Sequence, residues 1–106
     1  MTCRYMRVIV FFDLPTLSAS ERRQYNVFRK FLVRDGFFMM QESVYCKLAM
    51  NQLSANAIIS QIKANKPTSG LVQVLTITEK QYSDIEMIVG KRESDVIETT
   101  DRTVVL

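Results

Sequence analysis

An α+β fold with one antiparallel sheet is predicted by three features of the 106-residue sequence. The stretch RVIVFFDLP, Arg7 to Pro15, contains five consecutive apolar residues, Val8 to Phe12, all β-branched or aromatic. That pattern suits a central strand covered on both faces better than an alternating edge strand. Two stretches with helical spacing, Ser18 to Asp35 and Asn51 to about Lys66, are separated by two short β-prone runs. A last β-prone run, Leu71 to Thr78, completes the order strand, helix, strand, strand, helix, strand. This is the ferredoxin-like βαββαβ arrangement, in which two helices cover one face of the sheet.

The boundaries follow from local chemistry. Ser18 and Glu21 have the S-x-x-E form of a capping box, and Gly36 is placed to stop the first helix. Tyr25, Phe28, Phe31 and Leu32 recur at three-and-four spacing and form its buried stripe. Phe37 to Gln41 and Ser43 to Met50 are so close that they must join through a tight or bulged hairpin at Gln41 and Glu42. In the second of these strands Val44, Cys46, Leu48 and Met50 form a buried face, against a more polar face of Ser43, Tyr45 and Lys47. Asn51 caps the second helix, with Leu53, Ile58, Ile59 and Ile62 as its buried stripe. Pro67 to Gly70 is a loop by composition. A further apolar piece, Ile85 to Val89, comes after the fold is complete, and a sheet edge on a second subunit is its natural partner. The chain thus divides into a domain over 1–90 and a tail over 91–106, polar except for Val104, Val105 and Leu106, which read as a docking strand.

Composition narrows the function classes. Lys and Arg number 14 against 11 Asp and Glu, so a net charge of +3 matters only where cations cluster. The absence of histidine removes histidine bases, Ser-His and Cys-His dyads and most transition-metal sites. Cys3 and Cys46 match no zinc spacing, nothing at the N-terminus resembles a secretory signal, and no apolar run spans a bilayer. A cytoplasmic protein with reduced thiols is expected. There is no Walker loop and no G-x-G-x-x-G, and the aromatic signature of the RNA-recognition motif is missing from the third strand, SVYCKLAM.

Two features carry chemistry. Arg22, Arg23, Arg29, Lys30 and Arg34 form a stripe beside the apolar face of the first helix. Like charges on one helix repel, so the stripe is either a solvated face or a surface for phosphates. Asp13 ends the first strand, where a carboxylate is held by the sheet yet reaches the surface. An aspartate two residues before a proline is also ordinary turn chemistry.

The strings RVIVFFDLP, RRQYNVFRKFLVRDGF, QESVYCKL and VQVLTITEKQY, in this order, resemble the CRISPR-associated protein 2 family over Met6 to about Gly90. The resemblance implies a ferredoxin-like homodimer in which the strand containing Ile85, Met87 and Val89 completes the partner's sheet. It implies a role in spacer acquisition, as a scaffold that bridges copies of the CRISPR integrase with double-stranded DNA across its basic surface. It also implies an alternative, a metal-dependent endonuclease with Asp13 as metal ligand and catalytic residue. One Asp per chain is a sparse site. Two copies of Asp13 meeting at a dimer axis would hold one Mg²⁺ per dimer, which would polarise a phosphate and activate a water. Tyr5, Tyr45 or a water would then move protons, since Asp35 and Glu42 are placed at the far ends of their elements. The tail ending in Val104, Val105 and Leu106 resembles that of members whose C-terminus docks on the integrase. A regulatory domain binding a small molecule at its dimer interface is a third reading, which leaves the basic stripe unexplained.

Overall fold

A computed structural model of the protein describes residues 5–91. The tail from residue 92, including Val104, Val105 and Leu106, lies outside the described residues, as does Cys3. The elements are β1 (Met6–Asp13), α1 (Ala19–Arg34), β2 (Phe38–Gln41), β3 (Val44–Ala49), α2 (Gln52–Ala64), β4 (Leu71–Thr78) and α3 (Glu79–Ser83). The strands form one sheet in the order β2-β3-β1-β4, with every neighbouring pair antiparallel. This is the ferredoxin-like arrangement, and β1 lies at its centre as its apolar run requires.

Pairing register separates the two faces of the sheet. Val8, Val10 and Phe12 of β1 align with Lys47 and Tyr45 of β3 and with Thr76, Val74 and Val72 of β4 on the face beneath the helices. Phe28 and Leu32 of α1 and Ala55 and Ile62 of α2 close over this face to make the core. Phe12 sits at its aromatic centre, edge-on to Phe28 at 5.2 Å and stacked on Tyr45 at 5.7 Å. The other face presents Ile9 and Phe11 of β1 beside Cys46 and Val44 of β3 and Leu75 and Gln73 of β4.

Two expected stripes are corrected. In β3 the core face carries Tyr45 and Ala49, both buried, while Leu48 and Met50 are exposed. Alternation gave the period, but pairing with β1 decides which set meets the helices, and tyrosine outweighs its hydroxyl when its ring fills a core. In α2, Leu53 is 78% exposed, and the buried line is Ala55, Ile58, Ile59 and Ile62. These keep the offsets of three, four and seven from Ala55, whereas Leu53 is two residues away and so lies on the opposite side of the helix.

The terminators behave as their chemistry dictates. Ser18 and Glu21 form a reciprocal capping box. Gly36, at φ 101°, lets α1 end in a Schellman motif, with the Gly36 N–H donating to the Val33 carbonyl at 3.1 Å and the Phe37 N–H to Leu32 at 2.9 Å. The Lys47 ammonium donates to the Asp35 carbonyl and completes that helix end. The β2–β3 hairpin turns through Glu42 and Ser43, with a bulge between Met39 and Gln41 and a left-handed Ser43.

After β4 the chain departs from expectation. Thr78 and Gln81 form a second capping box and start α3. Residues 85–89 form no strand within the single chain. The expected pairing is with a second subunit's sheet, and within the single chain Ile85, Met87 and Val89 line a groove of about 300 Å³ with Phe38, Met39 and Tyr82. Among the described residues no helix is long and apolar enough to cross a membrane.

Candidate nucleic-acid interface and carboxylate site

Because Phe28 and Leu32 are buried against the sheet, the opposite side of α1 is turned to solvent. Arg22, Arg23, Arg29, Lys30 and Arg34 are all exposed there. The ion pairs among the described residues are Arg7–Glu79, Lys47–Asp35 and Lys80–Asp84, so none of the five helix cations is neutralised by one. Arg22 is positioned by its guanidinium donating to the carbonyls of Thr16 at 3.2 Å and Leu17 at 2.9 Å. Glu21, the acid in the first turn of α1, is spent on the capping box, its Oε1 accepting from the Leu17 and Ser18 N–H groups at 2.9 Å each.

The rest of the helix layer extends this charge, which the α1 spacing alone did not reveal. Between Glu42 and Glu79 the sequence contains no carboxylate, yet it includes Lys47, Lys63 and Lys66. Lys63 and Lys66 are exposed at the C-terminal end of α2. Counting acids as well as bases along the chain would have found this, because the field of a surface depends on what is missing from it.

Asp13 is the last residue of β1 and is exposed, paired in register with Leu71. It follows Ile9 and Phe11 on the sheet face away from α1 and α2. No hydrogen bond or ion pair holds its side chain among the described residues, so the turn role has no partner here. Its backbone is fixed by close packing: a Cβ at Gly70, whose φ is 93°, would lie 2.9 Å from the Asp13 carbonyl oxygen and 2.7 Å from Leu14 Cδ2. A shallow pocket of about 160 Å³ opens beside it, lined by Phe11, Ser43, Val44, Leu71 and Gln73.

Two expected relations at this site are corrected. The Glu42–Ser43 turn is at the same end of the sheet as Asp13, because antiparallel pairing sets Phe11 opposite Val44 and the Phe12 N–H donates to the Ser43 carbonyl at 3.0 Å. Tyr45 is 2% exposed in the core and Tyr5 precedes β1 at the opposite end from Asp13, so neither is placed to move protons at that carboxylate. Among the described residues no three His, Cys, Asp or Glu side chains gather as a metal cage. Magnesium is often bound through one or two carboxylates plus water and phosphate oxygens. A lone Asp13 stands at the sparse end of that range, and a second carboxylate would complete the pair.

At the far end of the uncovered sheet face, Arg7 forms a fork to Glu79, with Nε 2.7 Å from Oε1 and Nη2 3.0 Å from Oε2. Its guanidinium also lies 4.2 Å from the centre of the Tyr82 ring. Its pKa is raised by the hydrogen bond to Glu79. Burial raises that of the neighbouring Cys46 thiol, with Arg7 opposing the shift. Cys46 is fully buried, which fits a packing residue.

The fold and these two surfaces define a small ferredoxin-like protein with a cationic helix layer and a carboxylate at the exit of its central strand. The family described as CRISPR associated protein Cas2 matches residues 6–85. A Treponema denticola protein named CRISPR-associated endoribonuclease Cas2 is 50% identical over 95% of this chain and 100% of its own length. Proteins of the same name from Ligilactobacillus salivarius and Streptococcus mutans are 41% and 43% identical, each over 95% of this chain and over 100% and 93% of their own lengths. The chain belongs to the Cas2 family of CRISPR-associated proteins.

Proposed function

We propose that this protein acts in CRISPR adaptation as a homodimeric scaffold that holds double-stranded DNA on its helix layer and bridges copies of the integrase. The observation that carries this reading is the set of five exposed α1 cations with no ion pair among the described residues. A cationic surface without a base-reading pattern suits a protein that accepts many sequences, and arginine forks match phosphate oxygens. The homodimer is supported by the uncovered sheet face, where Phe11, Leu48, Leu71 and Leu75 are exposed. Ile88 and Val89, 86% and 90% exposed, belong to the segment assigned to strand exchange with the second subunit. Binding should be sequence-tolerant and steeply salt-dependent. If a dimer neutralises about six phosphates, the log-log salt slope is roughly −5. Replacing Arg22, Arg23 and Arg29 by Ala should flatten it, and an unchanged slope would show that the cations are only a solvated face.

A second reading is favoured by the name endoribonuclease that the relatives carry and by the place of Asp13. On the uncovered face, two Asp13 carboxylates would hold one Mg²⁺ per dimer, which would supply Lewis acidity and an activated water for phosphodiester cleavage. Asp13 would orient that ion, and Glu42 at the same sheet end is a nearby acidic group to test alongside it. For a nuclease, Asp13→Ala should abolish Mg²⁺-dependent cleavage of single-stranded RNA or duplex DNA while binding persists. For a scaffold, the same variant retains DNA binding and spacer integration in the full complex.

A further inference from the structure

A cleft of about 270 Å³ separates α1 from the end of α2 and the loop that follows it. Its lining combines two kinds of surface. Val27, Phe28 and Pro67 are apolar, and Arg23 and Lys66 are cationic. No carboxylate lines it. The walls are tied together, since the side-chain Oε1 of Gln24 accepts from the Thr68 N–H at 3.1 Å and the Thr68 hydroxyl at 3.0 Å. Asn65 is held in turn by its side-chain amide donating to the Gln61 carbonyl at 2.9 Å. Lys63 is in the last turn of α2, where the helix dipole accounts for a cation, but Lys66 lies beyond the Asn65 cap.

An apolar slot flanked by cations matches a nucleotide unit, which has two apolar faces on its base and a charge on its backbone. Bases stack on guanidinium planes as well as on apolar side chains, and this recognition needs the base to be unpaired. We propose that this cleft takes one unpaired nucleotide of a single-stranded segment, its base against Val27 and Pro67 and its flanking phosphates on Arg23 and Lys66. The site is contiguous with the α1 surface through Arg23, so the inference rests on the nucleic-acid-binding reading above. It adds a discrimination between single and double strands that a plain cationic face lacks.

The test is fluorescence anisotropy with a labelled single-stranded RNA and a labelled duplex of equal length, using the full chain. Val27 is 61% exposed and Lys66 is exposed, so Val27→Gln and Lys66→Ala leave the core untouched. Val27→Gln is expected to weaken single-strand binding by about five-fold or more, the scale of one base contact, with a smaller change on the duplex. Lys66→Ala, which removes a phosphate contact, is expected to weaken the single strand more than the duplex. Arg29→Ala, on α1 away from the cleft, should weaken both substrates alike. Equal losses on the two substrates from the cleft variants, or no loss on either, would overturn the proposal while leaving the α1 reading in place. Wild-type protein that binds neither probe would overturn both. Cleft variants that lose only the single strand would support the cleft, and an Arg29→Ala that changes nothing beside them would remove Arg29 alone from the α1 surface.

Discussion

At Gly70 a single hydrogen in place of a methyl group controls where Asp13 stands. The left-handed backbone there strains any other L residue, and the Asp13 carbonyl 2.9 Å from the missing Cβ leaves no room for one. Gly70→Ala should therefore lower the unfolding free energy by about 2 kcal/mol, seen as an earlier urea midpoint with an unchanged slope. Any function of Asp13 should decline with it, since the strand exit has to shift. The sequence announced Asp13 through its position after an apolar run, but Gly70 read only as loop punctuation. The contact joins residues far apart in the chain, and local pattern has no access to it. Tyr45 was hidden for a related reason. Its hydroxyl makes it look like a polar-face residue, while its partner Val10, known only from the register, puts it in the core.

Elements were legible where their chemistry is local. The Ser18 capping box, the Gly36 stop, the bulged hairpin and the four strands all depend on neighbours a few residues away, and all are present. The same reasoning applied to Thr78 and Gln81 would have revealed α3, which was overlooked because a helix of five residues shows no periodicity. Contacts far apart in sequence attach this short helix to the sheet. Arg7 comes from β1, Glu79 is in the first turn of α3, and Tyr82 stacks beneath the guanidinium. Glu79→Ala should destabilise the protein by about 1 kcal/mol, the upper end for a partly exposed ion pair because the fork is bidentate. Hydrogen exchange should rise in residues 79–84 and stay unchanged in β1. Equal exchange in both proteins would mean that α3 is held by its other contacts.

On the scale of the whole molecule the two sheet faces have opposite fates. One is sealed by α1 and α2, and the other leaves Leu48, Leu71 and Leu75 at 45, 54 and 49% exposure. The division was readable in outline, because two helices on one side of a sheet must leave the other side bare. Which residues lie on it was not, since a one-residue change of register exchanges the faces. If the proposed second copy covers the bare face, the amount of protein becomes a variable in its own stability. When a second copy covers that face, folding and association form one equilibrium, and each tenfold dilution removes about 1.4 kcal/mol. The melting temperature should then fall steadily along a dilution series, whereas a self-sufficient monomer would melt at one temperature throughout. For a chain this small, copy number in the cell would then act as a folding condition, and a scarce transcript would yield unfolded protein rather than merely less of the folded form.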